Sequence, residues 1–166
     1  MQIFDRFLER LEDALHLAGC LALVAVAVII NADIVMRLVA ARPVQIQFEL
    51  TELYLMPALA TLSLSRVFRE GGHLALEFGP ETLPGVWGGL LRRARLLLPA
   101  AFFAAVTAMS GTFAYQALHH GAVEYGVIDW PLGWAYAVVP LGCGVLVLRL
   151  VRDAARDAPA ADRTRH

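Results

Sequence analysis

The sequence predicts an all-α integral membrane protein. It is expected to have four transmembrane helices, both termini cytoplasmic, a short amphipathic N-terminal helix and a cytoplasmic loop on the membrane surface. Three observations predict this class. Apolar residues make up 58% of the 166 residues and charged residues 17%, against about 45–50% and about 25% in soluble domains. One small core cannot hide that much apolar surface, so lipid must cover part of it. Four runs, 16–36, 48–68, 96–118 and 131–148, come close to the roughly 20 apolar residues that cross a bilayer. Threaded through a membrane from an inner N-terminus, they leave twelve arginines on the inner side and only Arg37 and Arg42 on the outer. The positive-inside rule then sets both termini in the cytoplasm.

The N-terminal stretch repeats Phe4, Phe7, Leu8, Leu11 and Leu15 at helical spacing, with Asp5, Arg6, Glu9, Glu12 and Asp13 expected on the other face. It reads equally as a surface helix and as an extension of the first span. It lacks the basic start and small-residue site of a cleaved signal peptide. Polar residues fall at the outer ends of the first two spans. Asp33 and Arg37 are i,i+4 and can pair directly. Glu49 and Glu52 are three apart on one helical face, with Arg37 and Arg42 as the available cations. Pro57 and Pro140 can kink their helices.

The second span ends at Arg66 and Arg69, and Gly71-Gly72 can stop it in a left-handed turn. His73, Leu74, Leu76 and Glu77 follow, then an amphipathic approach over 83–95. In the third span Ala100, Ala104, Ala108, Gly111 and Ala114 form a line of small residues, and the fourth carries Gly142 and Gly144. Such faces let helix backbones approach closely in lipid, inside the bundle or toward a partner. Trp130, Trp134 and Tyr136 mark the outer interface, and Trp87 the inner. Residues 1–152 read as one membrane domain and 153–166 as a disordered cytoplasmic tail.

The chemistry for an enzyme is missing from the pattern. No Gly-rich phosphate loop ends in Lys-Ser/Thr, and every cation is Arg. Neither a catalytic site nor a metal or substrate site is predicted. Cys20 and Cys143 fall in apolar runs and read as small hydrophobes. A redox anchor binding haem would need histidines paired in depth; His16 falls near the inner face and His119 and His120 near the outer. A self-sufficient ion-coupled carrier needs polar groups at mid-depth, where this chain offers only Thr61, Ser63 and Thr107. Nothing basic and aromatic-interleaved suggests nucleic acid.

Three elements together resemble a known family. They are Arg37 and Pro43 before an acidic start to the second span; Arg69, Gly71, His73, Leu74, Leu76 and Glu77; and Pro131-Leu132-Gly133-Trp134 leading to Pro140, Gly142 and Arg149. In this order on a four-span chain they resemble the small membrane subunit, DctQ-like, of tripartite ATP-independent periplasmic (TRAP) transporters. The likeness covers about 15–152, with Phe48 where the family often has Trp. It implies no cofactor, a large DctM-like membrane subunit and a periplasmic binding protein as partners, and sodium-coupled uptake of an organic anion across the bacterial inner membrane. Asp33, Arg37, Glu49, Glu52, Arg69, His73, Glu77 and Trp134 are the candidate interface or structural residues. The alternative is an anchor subunit of a haem or quinone enzyme.

Overall fold

The computed structural model describes residues 2–70, 86–126 and 128–160. Its elements are α1 (Gln2–Ala40), α2 (Ile46–Leu50), a π-helical turn (Thr51–Leu55), α3 (Met56–Leu62), α4 (Leu64–Arg69) and α5 (Val86–His120). A two-strand hairpin, β1 (Val123–Glu124) and β2 (Trp130–Pro131), then leads into α6 (Leu132–Ala160). Three stretches are long and apolar enough to cross a membrane: Asp5–Ala40, Leu96–His120 and Leu132–Ala155.

The expected surface helix and the first span are one continuous helix, α1. Its inward face also differs from the expected one. Leu8, Glu12, Gly19 and Ala22 are buried on the same side, while Phe7 is 64% exposed. Residues three and four apart share a helix face, which puts Glu12 with Leu8 rather than with the polar residues.

The second predicted span is helical from 46 to 69 except at Ser63, but it is divided. Pro57 has no N–H to offer the carbonyl four residues back and its ring crowds that carbonyl. The ladder widens just before it: the Met56 N–H donates to the Thr51 carbonyl, five residues back. Pro99 and Pro140 sit inside α5 and α6 without ending them. α5 begins at Val86, so part of the expected surface approach belongs to the long third helix. α6 runs on to Ala160, into the stretch expected as a tail.

The helices form a row. α5 packs along α6, α6 packs on α3 and α4, and those pack on α1. Leu96 and Ala100 of α5 meet Leu146 and Leu150 of α6 in the core, joined by Leu64, Phe68 and Phe103. At the other end Gly133 faces Leu118, which makes α5 and α6 antiparallel. Gly19 of α1 and Gly142 of α6 both seat against the Thr61–Ser63 stretch from opposite sides. The small-residue line of α5 divides: Ala100 and Ala114 are buried, Ala104 and Ala108 exposed.

Turns close the end of the row where α5 meets the start of α6. Gly121, at φ 59°, ends α5, and the Ala122 N–H returns to the Ala117 carbonyl, a left-handed cap suited to glycine. β1 pairs antiparallel with β2, Val123 opposite Pro131 and Glu124 opposite Trp130, a pairing not expected from the residue pattern. α1 ends instead at Ala41, a non-glycine residue at φ 52°. A side chain there costs about 1 kcal/mol, so Ala41→Gly is expected to stabilise the chain by about 0.5–1 kcal/mol, read as a higher melting temperature in detergent.

Candidate functional site

The charged side chains that the structure describes collect at the two ends of this row. At the first end stands Glu12, fully buried. Its Oε1 accepts a hydrogen bond from the Ser65 hydroxyl at 2.7 Å, and its Oε2 accepts from Arg69 at 3.1 Å and Arg149 at 3.4 Å. One carboxylate thus ties together α1, α4 and α6. Asp13 takes the other side of Arg69 at 2.5 Å and lies 3.4 Å from Arg66. Arg149 also pairs with Asp153 at 3.2 Å. The Arg152 Nε lies 2.7 Å from Asp5 Oδ1, joining the first turns of α1 to α6 a second time. Both helices that carry the described chain ends therefore meet at one end of the bundle.

Outermost in this cluster, the Arg66 guanidinium hydrogen-bonds the exposed Glu70 at 2.9 Å and holds its carboxyl below the usual carboxylate range. A lowered carboxyl contributes above its unfolded value and ceases to as pH falls through its folded value, which lies below the ordinary glutamate range.

At the opposite end Asp33, nearly buried, closes the α1–α2 connection. Its Oδ2 accepts from Arg37 Nε at 2.7 Å, the expected i,i+4 pair, and its Oδ1 accepts from the Val44 N–H at 2.7 Å. Glu49 does not meet Arg37 or Arg42 as expected. Its Oε2 accepts from Trp130 Nε1 at 2.6 Å, and the Tyr54 hydroxyl donates to the Pro131 carbonyl at 2.7 Å. The Tyr54 and Trp130 rings lie 5.7 Å apart. The hairpin strand β2 is thereby docked on the second segment. Gly126 approaches Glu49 so closely that any side chain there would overlap the carboxylate.

Glu49 and Glu52 part company, and the π-helical turn begins between them, at Thr51. Glu49 turns toward the hairpin. Glu52 is exposed and has no hydrogen bond or ion pair among the described residues. Trp130→Phe, which keeps a ring and removes the donor, is expected to cost about 1.5–3 kcal/mol, the range for hydrogen bonds to charged groups. Thermal unfolding of the purified variant in detergent measures it.

Between these ends the polar side chains turn inward on their own helices. Thr61 donates to the Pro57 carbonyl at 2.7 Å, Thr107 to Phe103 at 2.8 Å and Ser110 to Val106 at 2.6 Å. His16 and Ser63 share a hydrogen bond at 3.1 Å near the Glu12 end, while His119 and His120 meet edge to face at the other. Among the described residues no three His, Cys, Asp or Glu side chains gather as a metal-binding group.

Of the candidates drawn from sequence, Arg69 enters the Glu12 cluster, and Asp33 with Arg37 and Glu49 build the opposite end. Glu52 stands apart, and Trp134 is 67% exposed at the start of α6. His73 and Glu77 lie outside the described residues. Missed were Glu12, Ser65, Arg149, Arg152 and Trp130. The spacing of Leu8, Glu12 and Leu15 would have shown an acid on the apolar face.

A family model described as "Tripartite ATP-independent periplasmic transporters, DctQ component" matches residues 26–160. No curated protein and no solved structure matches the chain. The matched stretch takes in the later part of α1, from residue 26, the whole second segment and all of the described α5–α6 hairpin, with the two contacts that seat it, Glu49–Trp130 and Thr61–Gly142. This apolar helical membrane chain belongs to the DctQ family, the transporter components of that name.

Proposed function

We propose that the chain is the non-catalytic small membrane subunit of a TRAP-type secondary transporter in the bacterial inner membrane. It crosses the bilayer four times with both termini cytoplasmic. It braces a large DctM-like subunit during sodium-coupled uptake of an organic anion delivered by a periplasmic binding protein. The observation that carries this reading is the dry middle of the bundle. At mid-depth the hydroxyls of Thr61, Thr107 and Ser110 are spent on their own helix carbonyls and that of Ser63 on His16, and a carrier of charged solute needs groups there to replace hydration. Transport is therefore assigned to the partner, and shape to this chain.

The second segment supports the fourth crossing. Its contacts run from Glu49 at the hairpin end to Ser65 and Arg69 at the Glu12 end, the full height of the row. The excess of arginine at the Glu12 end supports the cytoplasmic placement of that end. The redox-anchor alternative is not favoured, since the family is one of transporter components and the described histidines sit at opposite ends.

The test is purification of the tagged chain from its native membrane, followed by reconstitution. A stable complex with a larger membrane subunit is expected, with sodium-dependent uptake only when both subunits and the binding protein are present. Uptake by this chain alone in proteoliposomes, or a Soret band in the purified protein, would overturn the proposal.

A further inference from the structure

The arginines at the Glu12 end whose side chains the structure describes fall into two groups. Arg66, Arg69, Arg149 and Arg152 are each held by a carboxylate. Arg6 and Arg10 are exposed and have no hydrogen bond or ion pair among the described residues. Asp5 faces Arg152, Asp13 is taken by Arg69 and Arg66, and Glu9, exposed, forms no hydrogen bond or ion pair with either arginine among the described residues. Arg6 and Arg10 are i,i+4, so their side chains rise side by side, with Cβ atoms about 5–6 Å apart.

Their line along α1 passes Asp13, which Arg69 and Arg66 neutralise, and is then apolar and bare. Leu17, Leu21, Val24 and Val28 follow on the same helix face, opposite Leu8, Glu12 and Gly19, and all four are exposed. Phe7 is exposed beside the two arginines. From Leu17 to Val28 the helix climbs about 16 Å, close to half of a roughly 30 Å hydrocarbon core. Arg10 sits about 10 Å before Leu17, within reach of a headgroup layer about 5–8 Å thick for a side chain that snorkels.

We propose that Arg6 and Arg10 bind the headgroup phosphate of an anionic phospholipid, whose acyl chain lies along Leu17, Leu21, Val24 and Val28. A phospholipid presents charge and hydrocarbon in the same order, and over the same length, as this face does. A free phosphate would use the arginines and leave the apolar line unexplained. A protein carboxylate would not require an apolar line of one leaflet's depth. The site rests on α1 lying in a bilayer and is independent of the transporter reading. Arg6 and Arg10 precede residue 26, where the family match begins.

The experiment is native mass spectrometry of the full chain, as purified from membranes, titrated with phosphatidylglycerol or phosphatidylcholine. The wild type is expected to retain phosphatidylglycerol in preference. Arg6→Gln with Arg10→Gln is expected to weaken that retention about thirtyfold, at about 1 kcal/mol for each cation near a membrane surface. Arg6→Lys with Arg10→Lys should keep most of the preference, and Arg42→Gln, at the other end, should keep all of it. Both double variants should elute as the wild type does, because the side chains are exposed. Equal retention of the two lipids by wild type, or unchanged phosphatidylglycerol binding in the Gln pair, would overturn the site. So would loss of a co-purifying protein from the Gln pair with its lipid binding intact, which would reassign the arginines to a protein contact.

Discussion

Glu12→Ala is expected to destabilise the chain by about 3–5 kcal/mol, the range for breaking a buried charge pair by removing one partner. The carboxylate is fully enclosed and answers Ser65, Arg69 and Arg149 at once. Without it two mostly buried guanidinium groups face a void. Asp13 still holds Arg69 and Asp153 still holds Arg149, which places the effect toward the lower end of the range. Glu12→Gln keeps the shape and the Ser65 contact but not the charge, and should fall between Ala and wild type. Melting of the purified chain in detergent reads all three. A double-mutant cycle of Glu12→Ala with Arg149→Ala should show coupling above 0.5 kcal/mol, as expected for residues in one network. Losses below about 1 kcal/mol, typical of a surface pair, would mean that the cluster does not hold the three elements together.

The second large effect is expected at Gly142. A Cβ there would lie 2.6 Å from the Thr61 carbonyl oxygen and 2.7 Å from its carbon. Those are backbone atoms of a segment already held by Gly19 on its other side, so they cannot swing away. Gly142→Val should cost at least the 1–3 kcal/mol, roughly, of an overpacked core, and should part α6 from the second segment. Gly144, two residues on, is the control. A Cβ there would meet the Thr107 methyl at 3.6 Å, an ordinary contact. Gly144→Ala is expected to be neutral or stabilising by up to about 1 kcal/mol through helix propensity. Equal melting temperatures for Gly142→Ala and Gly144→Ala would show that the close approach at Thr61 does not limit packing.

The two glycines show where reading the chain one residue at a time stops. Both stand in the same apolar run, and both could serve a small-residue face. Which one bears the contact depends on the rotation and depth of α6 against a segment some 80 positions earlier. The same holds for Glu49. Its proximity in sequence to Arg37 and Arg42 suggested an ion pair across a short loop. Asp33 had already engaged Arg37 from one turn below on the same helix, and Trp130 approached Glu49 from the far side of the bundle.

Glu12 differs, because its signal was local. An acid four residues after Leu8 and three before Leu15 lies on their face by helical geometry alone. What could not be read from α1 was the identity of the groups that make burial of that charge tolerable. They come from Ser65, Arg69 and Arg149, supplied by two other elements.

Composition and periodicity alone determined that this protein is helical and partly solvated by lipid, because an excess of apolar surface over possible core volume admits few other outcomes. They also determined the Asp33–Arg37 pair, since partners one turn apart need no tertiary information. Only the tertiary structure decided the row-like order of helices, the docking of Trp130 on Glu49, and the burial of Glu12. Each of these depends on distances between residues far apart in the chain, and such distances are set by how whole helices fit rather than by any neighbouring residue.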